Sequence, residues 1–262
     1  MEKLAQLFQD VVQLWDKYHV MYLNGIKNTL ILALVATVIG CLIGLVCGVL
    51  NTIPYTKNDP WPKRFLLKLL RVIIRIYVEV FRGTPMVLQA VFVYYGLPYF
   101  TDNAVKFTSM WTAAILIVSI NTGAYMAEIV RGGILSIDRG QLEGAYSVGM
   151  THTQAMTRVV LPQALRNILP SVSNEFVINI KDTSVLNVIG VTELYYMAGV
   201  IKRINLQTFQ VYTVICILYF ILTFTVTRLL RLAEKKLAGS DNYTICGSGS
   251  DSQAEIHIRE AQ

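Results

Sequence analysis

Residues 29–50 carry no charged side chain and no polar group beyond Thr29 and Thr37. A helix needs about 20 apolar residues to cross a bilayer. With no water available to bond its backbone there, a helix is what this stretch can form. The rest of the chain agrees. Of its 262 residues 54% are hydrophobic and only 15% charged, a balance that excludes a soluble globular core and indicates a polytopic membrane protein. The net charge of +6 raises nucleic-acid binding as an idea, but the basic residues sit in clusters that flank apolar stretches, where membrane topology accounts for them.

Within residues 29–50, Ala36, Gly40, Gly44 and Gly48 recur every fourth position, which puts small side chains on one helix face for another backbone to approach. Ahead of this span, residues 1–28 place Leu4, Leu7, Phe8, Val11, Val12, Leu14 and Trp15 at helical spacing among charged residues, which predicts an amphipathic segment lying in the interface. No small-residue cleavage site follows it, so it is not read as a signal peptide. Residues 51–75 hold six basic side chains, which predicts a cytoplasmic loop and places the N-terminus outside. A second span over 72–97 contains Glu79, Arg82-Gly83-Thr84-Pro85 and Gln89. Such residues are costly in lipid, so this helix faces protein or water, and Gly83 and Pro85 loosen it midway. Further spans follow from Trp111 to Arg131, over 169–200 and over 208–227, the last ending at Arg228, Arg231, Lys235 and Lys236. The fold class expected is therefore all-α, with five transmembrane helices over residues 29–237, a cytoplasmic C-terminus and a flexible cytoplasmic tail at 238–262. Cys41, Cys47, Cys216 and Cys246 show no CxxC spacing, so no metal or disulfide role is expected.

The stretch 131–170 between the third and fourth spans is too polar to cross a bilayer and too patterned for an ordinary loop. Asp138 or Gly140 can open a short helix over 141–148, and Gly149 suits the left-handed turn that closes it. Thr151 and Gln154 have capping-box spacing for a second helix, interrupted by Pro162. The prediction is a helix-turn-helix held against the membrane face, with Leu142, Ala145, Tyr146, Val148 and Met150 giving a partner a surface to grip.

Glu143-Gly144-Ala145, Gly149 and Val159-x-Leu161-Pro162 resemble the EAA loop (136–166) of the membrane subunits of bacterial ATP-binding-cassette importers. The flanking RGGI, LPQA and Arg166, the RGTP at 82–85 with Gln89, and Lys181-Asp182-Thr183-Ser184 resemble the polar amino-acid branch of that family. Two departures are Gly144 for the usual Ala and Val159 for the usual Ile. The resemblance, which runs from about residue 25 to 236, implies a permease subunit of the bacterial cytoplasmic membrane that works by alternating access. It also implies a second permease subunit, identical or homologous, an extracytoplasmic solute-binding protein, and a separate ATPase that binds the ATP and Mg. This chain has no GxxxxGK[ST] phosphate loop, no cofactor is expected on it, and it is not expected to be an enzyme. In the loop, Glu143 would cap or brace the docking helices, Gly149 would make the turn, and Gly144, Ala145, Leu161 and Pro162 would complete the ATPase-coupling surface.

Glu175 and Asp182 are seven residues apart, two helical turns on nearly one face, and intramembrane ionisable groups are functional candidates. With Lys181, Thr183, Ser184, Glu79 and Gln89 they form the expected substrate site. A slight excess of acidic groups in the spans leans toward a polar or cationic amino acid. The rival reading is an ion-driven secondary amino-acid transporter that uses Glu175 and Asp182 as proton or sodium sites; it leaves the docking loop unexplained.

Overall fold

The computed structural model describes residues 1–57, 59–238, 243–246 and 255–258. Its body is helical throughout. Helix α1, Glu2–Thr52, is unbroken over 51 residues, roughly 75 Å at the standard rise. The anticipated separate segment at 1–28 is thus the first half of one long helix. Its apolar stripe has protein to pack on: Leu14, Tyr18 and Tyr22 are buried with Leu194, Ala198, Ile201 and Val211, and Tyr22 stacks on Trp15.

A connection at 53–60 follows, in which Lys63 Nζ and the Thr56 amide both reach Asp59 at 2.7 Å and hold its carboxyl below its ordinary value. Helix α2, Trp61–Gly83, stops because Pro85 forces the preceding residue out of the helical region. Thr84 is extended, with φ −120° and ψ 143°. The chain resumes as α3, Met86–Val91, and passes through a π turn at Phe92–Gly96 into α4, Leu97–Phe100. This is the loosening expected at Gly83 and Pro85.

Helix α5, Met110–Leu135, is capped by Ser109, which accepts from the Trp111 amide, and it is the bundle's central post. The small-residue stripe of α1 lies against it. A Cβ at Gly40 would come within 2.6 Å of Thr122 Cβ, one at Gly48 within 2.6 Å of Val130 Cβ, and one at Gly44 would overlap Met126. The four-residue repeat is therefore a contact face, as expected.

After α5 come α6, Arg139–Ser147, and α7, His152–Ala155. A π turn at Met156–Val160 then leads into α8, Leu161–Asp182. A 3₁₀ stretch, Thr183–Ile189, extends α8 until Gly190, at φ +86°, turns the chain into α9, Leu194–Asn205, at 53°. The span expected over 169–200 is thus a bent pair, and Lys202 and Arg203 belong to the last turn of α9. Helix α10, Thr208–Ala238, closes the bundle. Beyond it the strands β1, Tyr243–Cys246, and β2, Glu255–Ile258, pair antiparallel; the remainder of the expected tail lies outside the described residues. Among the described residues, three helices are long and apolar enough to cross a membrane, or four if the bent pair counts as one span.

Replacing Gly44 with Ala pushes a methyl into Met126 and should lower stability by about 1–3 kcal/mol. Gly199→Ala, where a Cβ meets nothing within 4 Å, should be neutral or slightly stabilising. Thermal unfolding of the two variants in detergent, against the parent, measures both.

Candidate functional site: a polar pocket beside a broken helix

The break in α2 frees backbone carbonyls, and a buried carbonyl without a donor costs about 1–3 kcal/mol. Gln89, only 7% exposed, answers it one turn into α3. Its Nε2 lies 2.9 Å from the Phe81 carbonyl, 3.0 Å from the Thr84 carbonyl and 2.9 Å from Thr84 Oγ1. Its Oε1 accepts from Asn121 Nδ2 on α5 at 3.0 Å, and the same Nδ2 is 3.2 Å from the Phe81 carbonyl. Gln89 was expected among the substrate contacts. Its amide is instead committed to bracing the break.

That braced break forms one wall of a pocket of about 520 Å³, from Arg82 to Met86. Asn121 and Tyr125 of α5 form the second wall, and Glu175, Ile178 and Asp182 of α8 the third. The seven-residue spacing does bring Glu175 and Asp182 to one cavity. Glu175 is 6% exposed and Asp182 half-buried. Neither forms an ion pair; among the described residues the ion pairs are Lys63–Asp59 and Arg131–Glu128. Arg82 lines the same pocket, its guanidinium 5.4 Å from the Tyr125 ring centroid, a cation–π contact. The pocket is therefore lined by two carboxylates and one guanidinium, a set suited to a molecule with an ammonium and a carboxylate.

The other expected members are placed elsewhere. Lys181 is exposed and Ser184 half-buried, and neither lines the pocket. Thr183 is buried and donates to the Ile180 carbonyl at 3.0 Å, easing the change from α to 3₁₀ winding. Glu79 is exposed and lines a neighbouring cleft. Sequence reasoning missed Tyr125 and Ile178, which look like ordinary span residues.

Behind the pocket, Asn179, one turn beyond Glu175, donates to Thr37 Oγ1 at 2.8 Å and to Thr122 Oγ1 at 2.9 Å, tying α8 to α1 and α5. Below the 3₁₀ turn Glu193, fully buried and also missed, caps α9. It accepts from the amides of Tyr195 at 2.8 Å and Tyr196 at 2.7 Å and from Tyr219 Oη at 2.9 Å.

The 136–166 loop has the predicted local construction. Asp138 caps α6 through the Gly140 amide at 2.6 Å. Gly149, at φ +82°, turns the chain so that the Met150 amide closes back on the Ala145 carbonyl at 3.1 Å. Thr151 and Gln154 form the reciprocal capping box. Ala145 is buried, Leu161 half-buried, Pro162 exposed, and a Cβ at Gly144 would meet nothing within 4 Å. The role expected for Glu143 is different: it is exposed and makes no hydrogen bond among the described residues, because Asp138 and Thr151 already satisfy the helix starts. Together with exposed Tyr146 and Val148 it faces outward.

Residues 61–239 match the family model of the binding-protein-dependent transport system inner membrane component. The chain is 35% identical to the probable amino-acid permease protein YxeN of Bacillus subtilis over 82% of its own length and 91% of that protein. It is 34% identical to the glutamine transport system permease protein GlnP of Escherichia coli K12, over 83% and 93%. A crystal structure of an amino acid ABC transporter with histidines superposes with a TM-score of 0.73 at 35% identity, covering 84% of this chain and 95% of that one. The inward-facing MetNI methionine ABC transporter shares the fold, with a TM-score of 0.64 at 19% identity.

Gln89→Leu leaves the Phe81 and Thr84 carbonyls without their donor while keeping the side-chain volume. It should lower stability by about 1–3 kcal/mol, read by thermal unfolding, and Gln89→Asn, one methylene too short, should not rescue it.

Proposed function

This chain belongs to the family of binding-protein-dependent transport system inner membrane components, the permease subunits of ABC transporters, and on that premise we propose that it carries a polar amino acid across the bacterial cytoplasmic membrane. The observation that carries the substrate class is that Glu175, Asp182 and Arg82 line one pocket. The carboxylates receive the ammonium group and any cationic side chain; Arg82 receives the carboxylate. Two acids against one base favour a polar or cationic amino acid over an acidic one.

In this reading the broken α2–α4 segment counts as one span and the bent pair as another, giving five, with the N-terminus outside and the C-terminus in the cytoplasm. Two such chains, or this one and a homologue, enclose the path. The exposed face around Glu143, Tyr146 and Val148 sits in a groove of a separate ATPase subunit, where ATP and Mg bind. Nucleotide-driven closure of the ATPases rocks the helices, and the difference in substrate affinity between outward and inward states drives transfer. A solute-binding protein delivers the substrate from outside. The family match and the likeness to a solved amino acid ABC transporter do not favour the ion-driven alternative.

The test is uptake of labelled Arg, His, Gln, Glu and cystine by vesicles containing this chain, its ATPase and its binding protein, with and without internal ATP. ATP-dependent uptake of the cationic and polar members is expected, with Glu excluded; uptake indifferent to ATP would overturn the importer reading. Asp182→Asn should cut uptake at least tenfold, the loss expected of roughly one charged hydrogen bond, while the ATPase still co-purifies. Glu143→Lys should leave the fold intact and reduce co-purification or ATP-coupled uptake.

A further inference from the structure

The pocket is one half of a longer groove. Along α2, Arg71, Arg75, Glu79 and Arg82 recur at three- and four-residue steps and form one stripe. Along α5, Asn121, Tyr125, Glu128 and Arg131 do the same. Past Arg82 the groove opens into a second cavity of about 600 Å³, which ends at Leu135 beside the docking loop. Arg82 lines both cavities.

The sign of the charge inverts at that residue. The first cavity holds Glu175 and Asp182 against Arg82. The second holds Arg71, Arg75, Arg82 and Arg131 against Glu79 and Glu128, and Glu128 is already taken by Arg131. Arg71 is held in place by its bond to the Ile53 carbonyl at 2.6 Å and its stack 4.6 Å over Tyr55, yet its Nε is buried without a partner among the described residues. Arg75 forms no ion pair among them.

We propose that this basic cleft is a second station for the transported amino acid, an exit site that takes its α-carboxylate as it leaves the Glu175–Asp182 pocket. The inference rests on the amino-acid importer reading above. A zwitterion leaving an acidic pocket exposes its carboxylate to a low-dielectric wall unless a new donor meets it. Arg82 stays with the carboxylate because it borders both cavities, and Arg75 completes the fork on the far side. The same excess of guanidinium repels a cationic side chain. The substrate thus leaves carboxylate first and is not drawn back by its cationic end, which favours release toward the docking-loop side.

Arg75→Gln and Arg75→Lys, in vesicles with the ATPase and binding protein, test this on labelled arginine and glutamine. Arg75→Gln should lower kcat for uptake about tenfold, the worth of one charge-assisted hydrogen bond, and lower KM with it, leaving kcat/KM unchanged, since kcat/KM reports loading from the opposite side. Arg75→Lys should restore most of the rate. An unchanged kcat, a KM that does not fall with kcat, a Lys variant as slow as Gln, or loss of co-purified ATPase would each overturn the exit site. Parent vesicles that import no amino acid with ATP would instead sink the importer reading and this inference with it.

Discussion

A membrane interior supplies no water to a backbone carbonyl, so a helix that breaks there must bring its own donors. The break at Gly83–Pro85 meets that constraint with one side chain. Gln89 turns back across the gap and bonds the Phe81 and Thr84 carbonyls, and Asn121 locks it from α5. Everything functional in the groove hangs on this arrangement. The break gives the pocket its first wall and sets Arg82 at the junction of two cavities, and the Asn121–Gln89 bond ties α3 to α5. Because the bracing amide is buried and saturated, the wall keeps its shape without needing a ligand to complete it.

The second wall depends on how closely α1 can approach α5. Glycines at 40, 44 and 48 let the backbones come near enough for Asn179 to reach Thr37 and Thr122 at once. That three-helix knot lies one turn from Glu175, and it fixes the height and rotation of α8 relative to α5. A buried carboxylate is useful for binding only if its position is set by something other than itself. Here it is set by neutral amide and hydroxyl groups, which leaves Glu175 and Asp182 uncommitted to any ion pair.

What the sequence made legible was what short-range periodicity encodes. The caps of α6 and α7, the left-handed Gly149, the small-residue stripe and the shared face of Glu175 and Asp182 all follow from spacings of seven residues or fewer, and each is found as read. What it hid was long-range or directional. Gln89 resembles a substrate ligand until its partner 32 residues away is known, since an amide in a span can face either way. Glu79 and Arg82 share one stripe of α2, and nothing local says that a cavity boundary falls at Arg82. Residues 1–28 have an amphipathic pattern that a headgroup layer or a protein groove satisfies equally; only the fold shows Tyr18 and Tyr22 facing α9 and α10. Glu193 sat unnoticed because a helix cap in a span reads like any other polar residue near a glycine.

The geometry of α8 then bears on coupling in the proposed importer. From His152 to Asp182 the chain winds without a break in direction, roughly 45 Å at helical rise, carrying the docking turn at one end and both pocket carboxylates at the other. Near the docking end, Val160, Ala164 and Ile168 are buried against Ile134 and Val130 of α5, a hinge line of small and branched side chains. Near the pocket end the Asn179 knot is the next point of attachment. A push on α6 and α7 is therefore not absorbed in a flexible loop, because the capping box and the buried Ala145 stiffen the turn. In that importer it would reach the pocket as a tilt of α8 between these two contacts. Such a tilt against the braced break of α2 would change the distance between the Glu175–Asp182 pair and Arg82, and with it the fit of a zwitterion in the proposed site.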